Sequence, residues 1–207
     1  MITYDDIRHN PDVRALIEAG NHALGVLGFT DHGYAHVGLT SNITGNILEQ
    51  LGYDPRTCEL GRIAGYMHDI GNAINRSNHA LSGALLAFDI LRKLDMDIAE
   101  VTAVITAIGN HDEHTAAAVT PISAALILAD KSDVRRSRVR TSPDSPAFDI
   151  HDRVNYAVEE ASTEISPDKS MITLRIRIDT ASAAVMDYFE IFLQRMLLCR
   201  KAAERQR

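Results

Sequence analysis

The amino-acid sequence predicts a mainly α protein that closes with a β-hairpin and one further helix. Between Asp12 and Asp130 apolar residues recur at three- and four-residue steps, and Gly, Pro or Asn marks each break. After Asp133 the stripe disappears into a basic and then Ser/Pro-containing stretch, "VRRSRVRTSPDSPAFDIHD", which reads as a loop. Two runs with apolar residues at alternate positions follow, before helical spacing returns at the C-terminal end.

Five or six helices fit the first region. "PDVRALIEAGNHALGVLG" supplies the first, with Pro11 suited to an opening turn and Gly28 to an exit. In "GYAHVGLTSNITGNILEQLG", His36, Leu39, Ile43, Ile47 and Leu51 step along one face. "PRTCELGRIAGYMHDIG" gives a third helix that closes at Gly71, and "SNHALSGALLAFDILRKLD" a fourth with Ser77 or Asn78 placed to cap it. "MDIAEVTAVITAIGNH" and "PISAALILADKSD" complete the set. "RVNYAVEEASTEI" and "MITLRIRID", separated by "SPDKS", read as an antiparallel hairpin, and "TASAAVMDYFEIFLQRMLLCRKAAERQR" as the last helix with a basic tail. Residues 1–135 therefore read as one helical domain, and residues 136–207 as a loop, hairpin and terminal helix packed on it. Because a lone two-stranded hairpin is marginal, the apolar stripe of the last helix is expected to serve as core or as a homodimer seam.

Bulk properties narrow the function. With 207 residues the chain can bury a sizeable core, and 45% hydrophobic with 24% charged residues excludes wholesale disorder. A net charge of -7 opposes nonspecific binding to a nucleic-acid polymer, while saying little about small ligands, since a local basic patch can still hold a phosphate. Only Cys58 and Cys199 are present, without thiolate-metal spacing, which argues against a disulfide framework or a sulfur-ligated zinc. The opening "MITYDDIRHN" lacks the basic-then-apolar character of a secretory signal, and no run reaches the ~20 apolar residues of a membrane span. A soluble, cytoplasmic protein is the expectation.

Several of the nine histidines sit inside apolar helices, where an imidazole needs a partner. His36, His68, Asp69, His79, His111 and Asp130 fall on successive predicted helices or helix ends, so antiparallel packing can bring all six to one pocket. Asp130 closes the apolar run "PISAALILA", where an unpaired carboxylate would be costly. His68 and Asp69 are adjacent and so point about 100° apart on a regular helix, able to straddle an ion at its edge. Gly71 then lets the chain turn away and leaves backbone room for substrate. His32 and His114 lie near these positions and suit solvated or supporting roles. His9, His22 and His151 read as structural or exposed.

The segments "HGYAHV", "MHDIGN", "NHALSGALL", "GNHDEH" and "ILADKSD" together resemble the HD-domain metalloprotein superfamily over roughly Thr30 to Asp133. The resemblance implies an HD-domain helical bundle that binds divalent metal and most often hydrolyses phosphate esters. It makes His36, His68, Asp69 and Asp130 ligands of a first metal, with Asp69 bridging, and adds His79 and His111 for a second. Imidazole and carboxylate ligands suit Mn, Fe, Ni, Co or Zn. Asp69 and Lys131 are then the catalytic candidates. Arg76, Lys131, Arg135 and Arg136 are candidates to hold the phosphate of a small nucleotide or phosphorylated metabolite; for "RRSRVR" a plain solvated loop is the competing reading.

Two departures matter. The cyclic-di-GMP phosphodiesterase branch resembles this chain in "HDIG", but there a lysine usually follows where Asn72 stands, and a later Gly-Tyr-Pro signature is missing from "GNHDEHTAAAV". The six-ligand order also resembles the superfamily's mixed-valent diiron oxygenases. A metal-bearing sensor module is a third reading.

Overall fold

The structure is a computed structural model that describes residues 1–113 and 116–206. His114, one of the candidate supporting histidines, lies outside the described residues. Nine α-helices and one two-stranded antiparallel hairpin follow in chain order among the described residues. The helices are α1 (Tyr4–His9), α2 (Pro11–Val26), α3 (Tyr34–Leu51), α4 (Pro55–Met67), α5 (His79–Lys93), α6 (Ile98–Gly109), α7 (Pro121–Ser132), α8 (Ile150–Tyr156) and α9 (Val185–Arg205). Between α8 and α9 lie β1 (Val158–Ile165) and β2 (Ile172–Ile178).

The caps explain where the helices begin. Asn10 accepts from the amides of Asp12 and Val13 ahead of Pro11, Asp54 does the same for Arg56 and Thr57 ahead of Pro55, and Thr120 and Ser123 cap each other's amides ahead of Pro121. Asn78 stands at the start of α5 as expected, but its side chain caps nothing; its backbone takes the left-handed conformation instead, at φ 62°. α3 stops at Gly52, whose φ of +92° suits glycine.

Two elements differ from expectation. α1 carries only one buried apolar residue, Ile7, so it leaves no periodic signal and is set by the Thr3–Asp6 capping box. The first strand was expected from Arg153, yet Ile150–Tyr156 is helical and the strand begins at Val158. Asp149 caps that turn by accepting from the Asp152 amide, and Val154, Ala157 and Val158 are all buried, so this short stretch has no alternating face.

A central core gathers Ile7, Val37, Leu48, Ile63, Met67, Ile70, Leu91, Val104, Ile108 and Leu126, and α9 reaches it through Ala202. A second cluster of Val134, Val154, Val158, Tyr188 and Phe192 joins α8, the hairpin and α9. In the hairpin Ala161 pairs with Ile176, Thr163 with Leu174 and Ile165 with Ile172, and this face packs toward α7 and α3. The hairpin thus finds its cover within the chain. No helix among the described residues is long and apolar enough to cross a membrane.

Candidate metal centre

Six side chains from five places in the chain meet at one point. His36 comes from the first turn of α3, His68 caps the end of α4, and Asp69 follows it with its backbone at φ -101°, ψ 2°. This bridge-region conformation takes Asp69 off the helix, so the carboxylate folds back toward its own neighbour rather than pointing about 100° away. His79 opens α5, His111 follows α6, and Asp130 lies in the last turn of α7. The four histidines are all at most 3% exposed and Asp69 is 6% exposed.

Gly71 holds two of these elements together, and not in the way the sequence suggested. α4 ends at Met67, and a 3-10 turn over Ile70–Ala73 follows. A Cβ on Gly71 would lie 2.0 Å from the His79 carbonyl oxygen and 2.5 Å from the Gly83 nitrogen. The missing side chain therefore admits the backbone of α5, not a substrate, and that contact sets Asp69 against His79.

The hydrogen bonds fix the tautomer of every imidazole. Nδ1 of His68 donates to the Gly65 carbonyl at 2.8 Å, that of His79 to Arg76 at 3.0 Å, and that of His111 to Ile108 at 2.6 Å. Nδ1 of His36 donates to Oδ2 of the fully buried Asp133 at 2.8 Å. With Nδ1 committed as donor, each neutral ring presents a bare Nε2 lone pair. All four Nε2 atoms point inward: His36 and His68 are 3.3 Å apart, and His79 and His111 3.2 Å.

Asp69 lies between the two pairs. Its Oδ2 is 3.6 Å from His36 Nε2 and 3.2 Å from His68 Nε2, while its Oδ1 is 3.4 Å from His79 Nε2 and 3.9 Å from His111 Nε2. Asp130 Oδ1 joins the first pair, 3.4 Å from His36 Nε2 and 3.7 Å from His68 Nε2. The centre thus divides into one half with two imidazoles and two carboxylate oxygens, and another with two imidazoles and the second oxygen of Asp69.

Acceptors this close repel unless a cation or proton lies between them. Burial would raise the carboxyls of Asp69 and Asp130, but the imidazole of His68 beside the one and the ammonium of Lys131 beside the other hold both well below the usual carboxylate range. Burial works against the imidazolium of His68, yet the charge of Asp69 outweighs it and raises that pKa, while burial takes His79 down to about 4. The donor set fits a transition metal: two ligands each about 2.1 Å from one ion stand roughly 3.0–3.5 Å apart. His36, His68 and Asp130, and separately His68, Asp69 and His111, offer atoms all within 4.8 Å of one another. The cluster is compatible with an HD-type metal site.

No family model matches the sequence. The chain is similar to an uncharacterized protein of Methanocaldococcus jannaschii, 27% identical over 188 residues, covering 80% of this chain and 72% of that protein. Among solved structures it is similar to a predicted HD superfamily hydrolase from an uncultured Thermotogales bacterium. That likeness has 22% identity and a TM-score of 0.46, over 62% of this chain and 71% of the other.

The centre opens on a cavity of about 740 Å³, which Asp69, His79, His111 and Asp130 line on one side. Of the basic candidates, Arg76 and Lys131 line it. Lys131 Nζ is 2.7 Å from Asp130 Oδ2, the oxygen facing away from the imidazoles. Arg135 and Arg136 do not line it. Arg135 is spent on Asp133, with Nε 2.6 Å from Oδ1 and Nη2 3.0 Å from Oδ2. Arg136 stacks 4.5 Å over the Tyr156 ring and donates to the Tyr156 carbonyl.

The structure adds residues that sequence reasoning passed over. Arg138, 8% exposed, lines the cavity from the same basic run; its Nε donates to the Asp31 carbonyl and its Nη1 to that of Asp133, and no described residue accepts from Nη2. Arg195 of α9 also lines it, stacked 4.3 Å over Phe192, with its Nε donating to Glu113 Oε1 at 2.7 Å. Asn72 donates to Asp69 Oδ1 at 2.9 Å and accepts from Arg76, so it orients the central carboxylate. His32 lines the cavity with its ring 5.3 Å from that of His36, its pKa pushed well below the usual value by burial and by Arg138.

Proposed function

We propose that the chain is a divalent-metal-dependent phosphohydrolase that cleaves a phosphoester of a small nucleotide or phosphorylated metabolite. The observation that carries the metal is the convergence of four Nε2 lone pairs and two carboxylates with no hydrogen-bond donor among them. His36, His68, Asp69 and Asp130 would hold one ion, and Asp69, His79 and His111 the other, with Asp69 shared. When bound, such ions supply Lewis acidity and a strong oxygen nucleophile near neutral pH.

The chain's own residues do the rest. Asp133 and three backbone carbonyls keep the imidazoles in the ligating tautomer. Lys131 ties down the outer oxygen of Asp130 and offers its remaining hydrogens to the cavity, where it can meet phosphoryl charge as it develops. Arg138, through its open Nη2, and Arg76 add guanidinium donors to the lining, where Arg195 is paired with Glu113. Guanidinium and ammonium donors beside the centre support a phosphoester substrate over the diiron oxygenase reading.

The test is a panel of nucleotides and phosphoesters assayed with manganese, iron, nickel, cobalt and zinc, alongside the metal content of Asp69→Ala by mass spectrometry. Hydrolysis by the wild type, with loss of both metal and turnover in the variant, is expected. Wild-type metal stoichiometry in Asp69→Ala would overturn the shared-carboxylate assignment. Intact phosphoesters with oxygen consumption by the iron form would replace hydrolase with oxygenase.

A further inference from the structure

Beyond the metal centre and its cations, the cavity has another wall, built by α8. Asp149, His151, Asp152 and Asn155 line it. Asp152 is 5% exposed, yet its carboxylate receives no hydrogen bond or ion pair from any described residue. Its backbone amide donates to Asp149 Oδ1 at 2.9 Å, so it is Asp149 that caps the helix and the Asp152 carboxylate is not needed for that task. One turn on, Asn155 is 9% exposed; its Nδ2 donates to the His151 carbonyl at 2.8 Å, and its Oδ1 accepts from no described residue. With no donor from the chain the Asp152 carboxylate is left open to the cavity, and a carboxylate in the first turn of a helix gains its dipole interaction equally well in full solvent. Its burial in a cavity wall therefore answers to something that enters the cavity.

We infer that Asp152 and Asn155 form an acceptor wall for the leaving group, and that the substrate is a phosphomonoester whose leaving group carries neighbouring hydroxyls, of the sugar or polyol type. This rests on the phosphohydrolase reading of the same cavity. The two side chains are three residues apart and so share one face of α8, presenting a carboxylate beside a neutral amide oxygen. Two adjacent O–H donors match that pair. An ammonium would suit the carboxylate as well, and carboxylates line the cavity alongside Arg76, Lys131, Arg138 and Arg195, so an amine-bearing ester is the competitor that the test includes. The volume, about 740 Å³, is that of a small-molecule site rather than of a bare phosphate pocket.

Asp152→Asn keeps the shape and removes the charge. Steady-state kinetics of the metal-loaded wild type and variant compare ribose 5-phosphate, which carries hydroxyls, with phenyl phosphate, which carries none, and O-phosphoethanolamine, which carries an amine. The KM for ribose 5-phosphate should rise about tenfold relative to that for phenyl phosphate, as expected for losing a hydrogen bond to a charged acceptor, with kcat changing less than twofold. An equal change on both esters, or a wild-type preference for O-phosphoethanolamine, overturns the inference. Calorimetric binding of the same compounds gives a readout independent of turnover. Binding that depends on Asp152 without hydrolysis would sink the phosphohydrolase reading and keep the acceptor wall. Hydrolysis without Asp152 dependence would do the reverse, and neither binding nor hydrolysis would remove both. The variant should melt close to the wild type, because no described residue bonds the carboxylate that is replaced.

Discussion

Replacing Asp133 by alanine removes the acceptor that His36 Nδ1 meets at 2.8 Å, and the structure says what is left behind. His36 is fully buried, so its Nδ1 hydrogen loses its partner without gaining water, a cost of about 1–3 kcal/mol. Arg135, more than one third exposed at its side chain, re-solvates cheaply, and Arg138 retains the Asp31 carbonyl. The ring can escape the cost only by moving its proton to Nε2, which destroys the lone pair aimed at the centre. Either way the half built on His36 weakens, by the ~10- to 100-fold typical of losing a partner behind a ligating histidine. That corresponds to roughly 1.4–2.8 kcal/mol, overlapping the desolvation cost because both describe one hydrogen bond. Chelator competition on the purified variant should show one equivalent of metal weakened by that factor and one retained through His79 and His111. Asp133→Asn should recover most of the loss, since the amide oxygen still accepts from Nδ1. Wild-type affinity for both equivalents in Asp133→Ala would refute the role of His36 as a ligand held by Asp133.

Further expectations follow from the same geometry. Arg138→Ala should raise KM for a phosphoester substrate about tenfold or more, while Arg136→Ala, whose guanidinium stacks on Tyr156 away from the cavity, should change it less than twofold; steady-state kinetics decides, and the reverse order would return the phosphate role to Arg136. Gly71→Ala would drive a methyl into the His79 carbonyl and the Gly83 nitrogen, costing about 1–3 kcal/mol or more, and a thermal melt should fall by several degrees along with metal affinity. An unchanged melting temperature would mean that the α5 backbone yields freely. Burial pushes the Cys199 thiol up to about 11, so at pH 8 roughly one part in a thousand is thiolate, and reactivity rises only as the pH approaches that value. Iodoacetamide should therefore label Cys199 slowly at pH 8 in the folded protein and readily in urea; fast labelling of the folded form would contradict its burial.

The helices that carry the centre were readable because each is long enough to show its stripe and begins at a visible cap, such as Asn10-Pro11 or Asp54-Pro55. The six converging residues were readable for another reason: polar side chains inside apolar runs need partners, and their order along the chain resembles a known metal-binding pattern. What the sequence hid was direction. Arg135, Arg136 and Arg138 lie in a segment without a long helix, so no periodicity says that the third turns inward while the first is spent on Asp133. Asp152 was hidden because its segment read as the end of a loop and Asn155 as part of a strand; only on a helix do the two share a face.

Asp133 was the hardest to foresee, and the reason bears on how the centre can be altered. His68, His79 and His111 each donate to a carbonyl three residues back, at Gly65, Arg76 and Ile108. For His68 and His111 these carbonyls lie in the last turns of α4 and α6, where helix geometry leaves acceptors free. Main-chain acceptors cannot be removed by changing their own side chains, so these three tautomers are robust to substitution nearby. His36 sits in the first turn of α3, where the carbonyl three residues back, Gly33, already accepts from the amides of His36 and Val37. Its acceptor comes instead from 97 positions away, at the end of α7. The tautomer of His36 consequently depends on how α3 packs against the end of α7, whereas those of the other three are set within their own helix ends. Core changes between α3 and α7 should accordingly weaken the His36 half before the His79–His111 half, an order that metal titration of such variants reads directly.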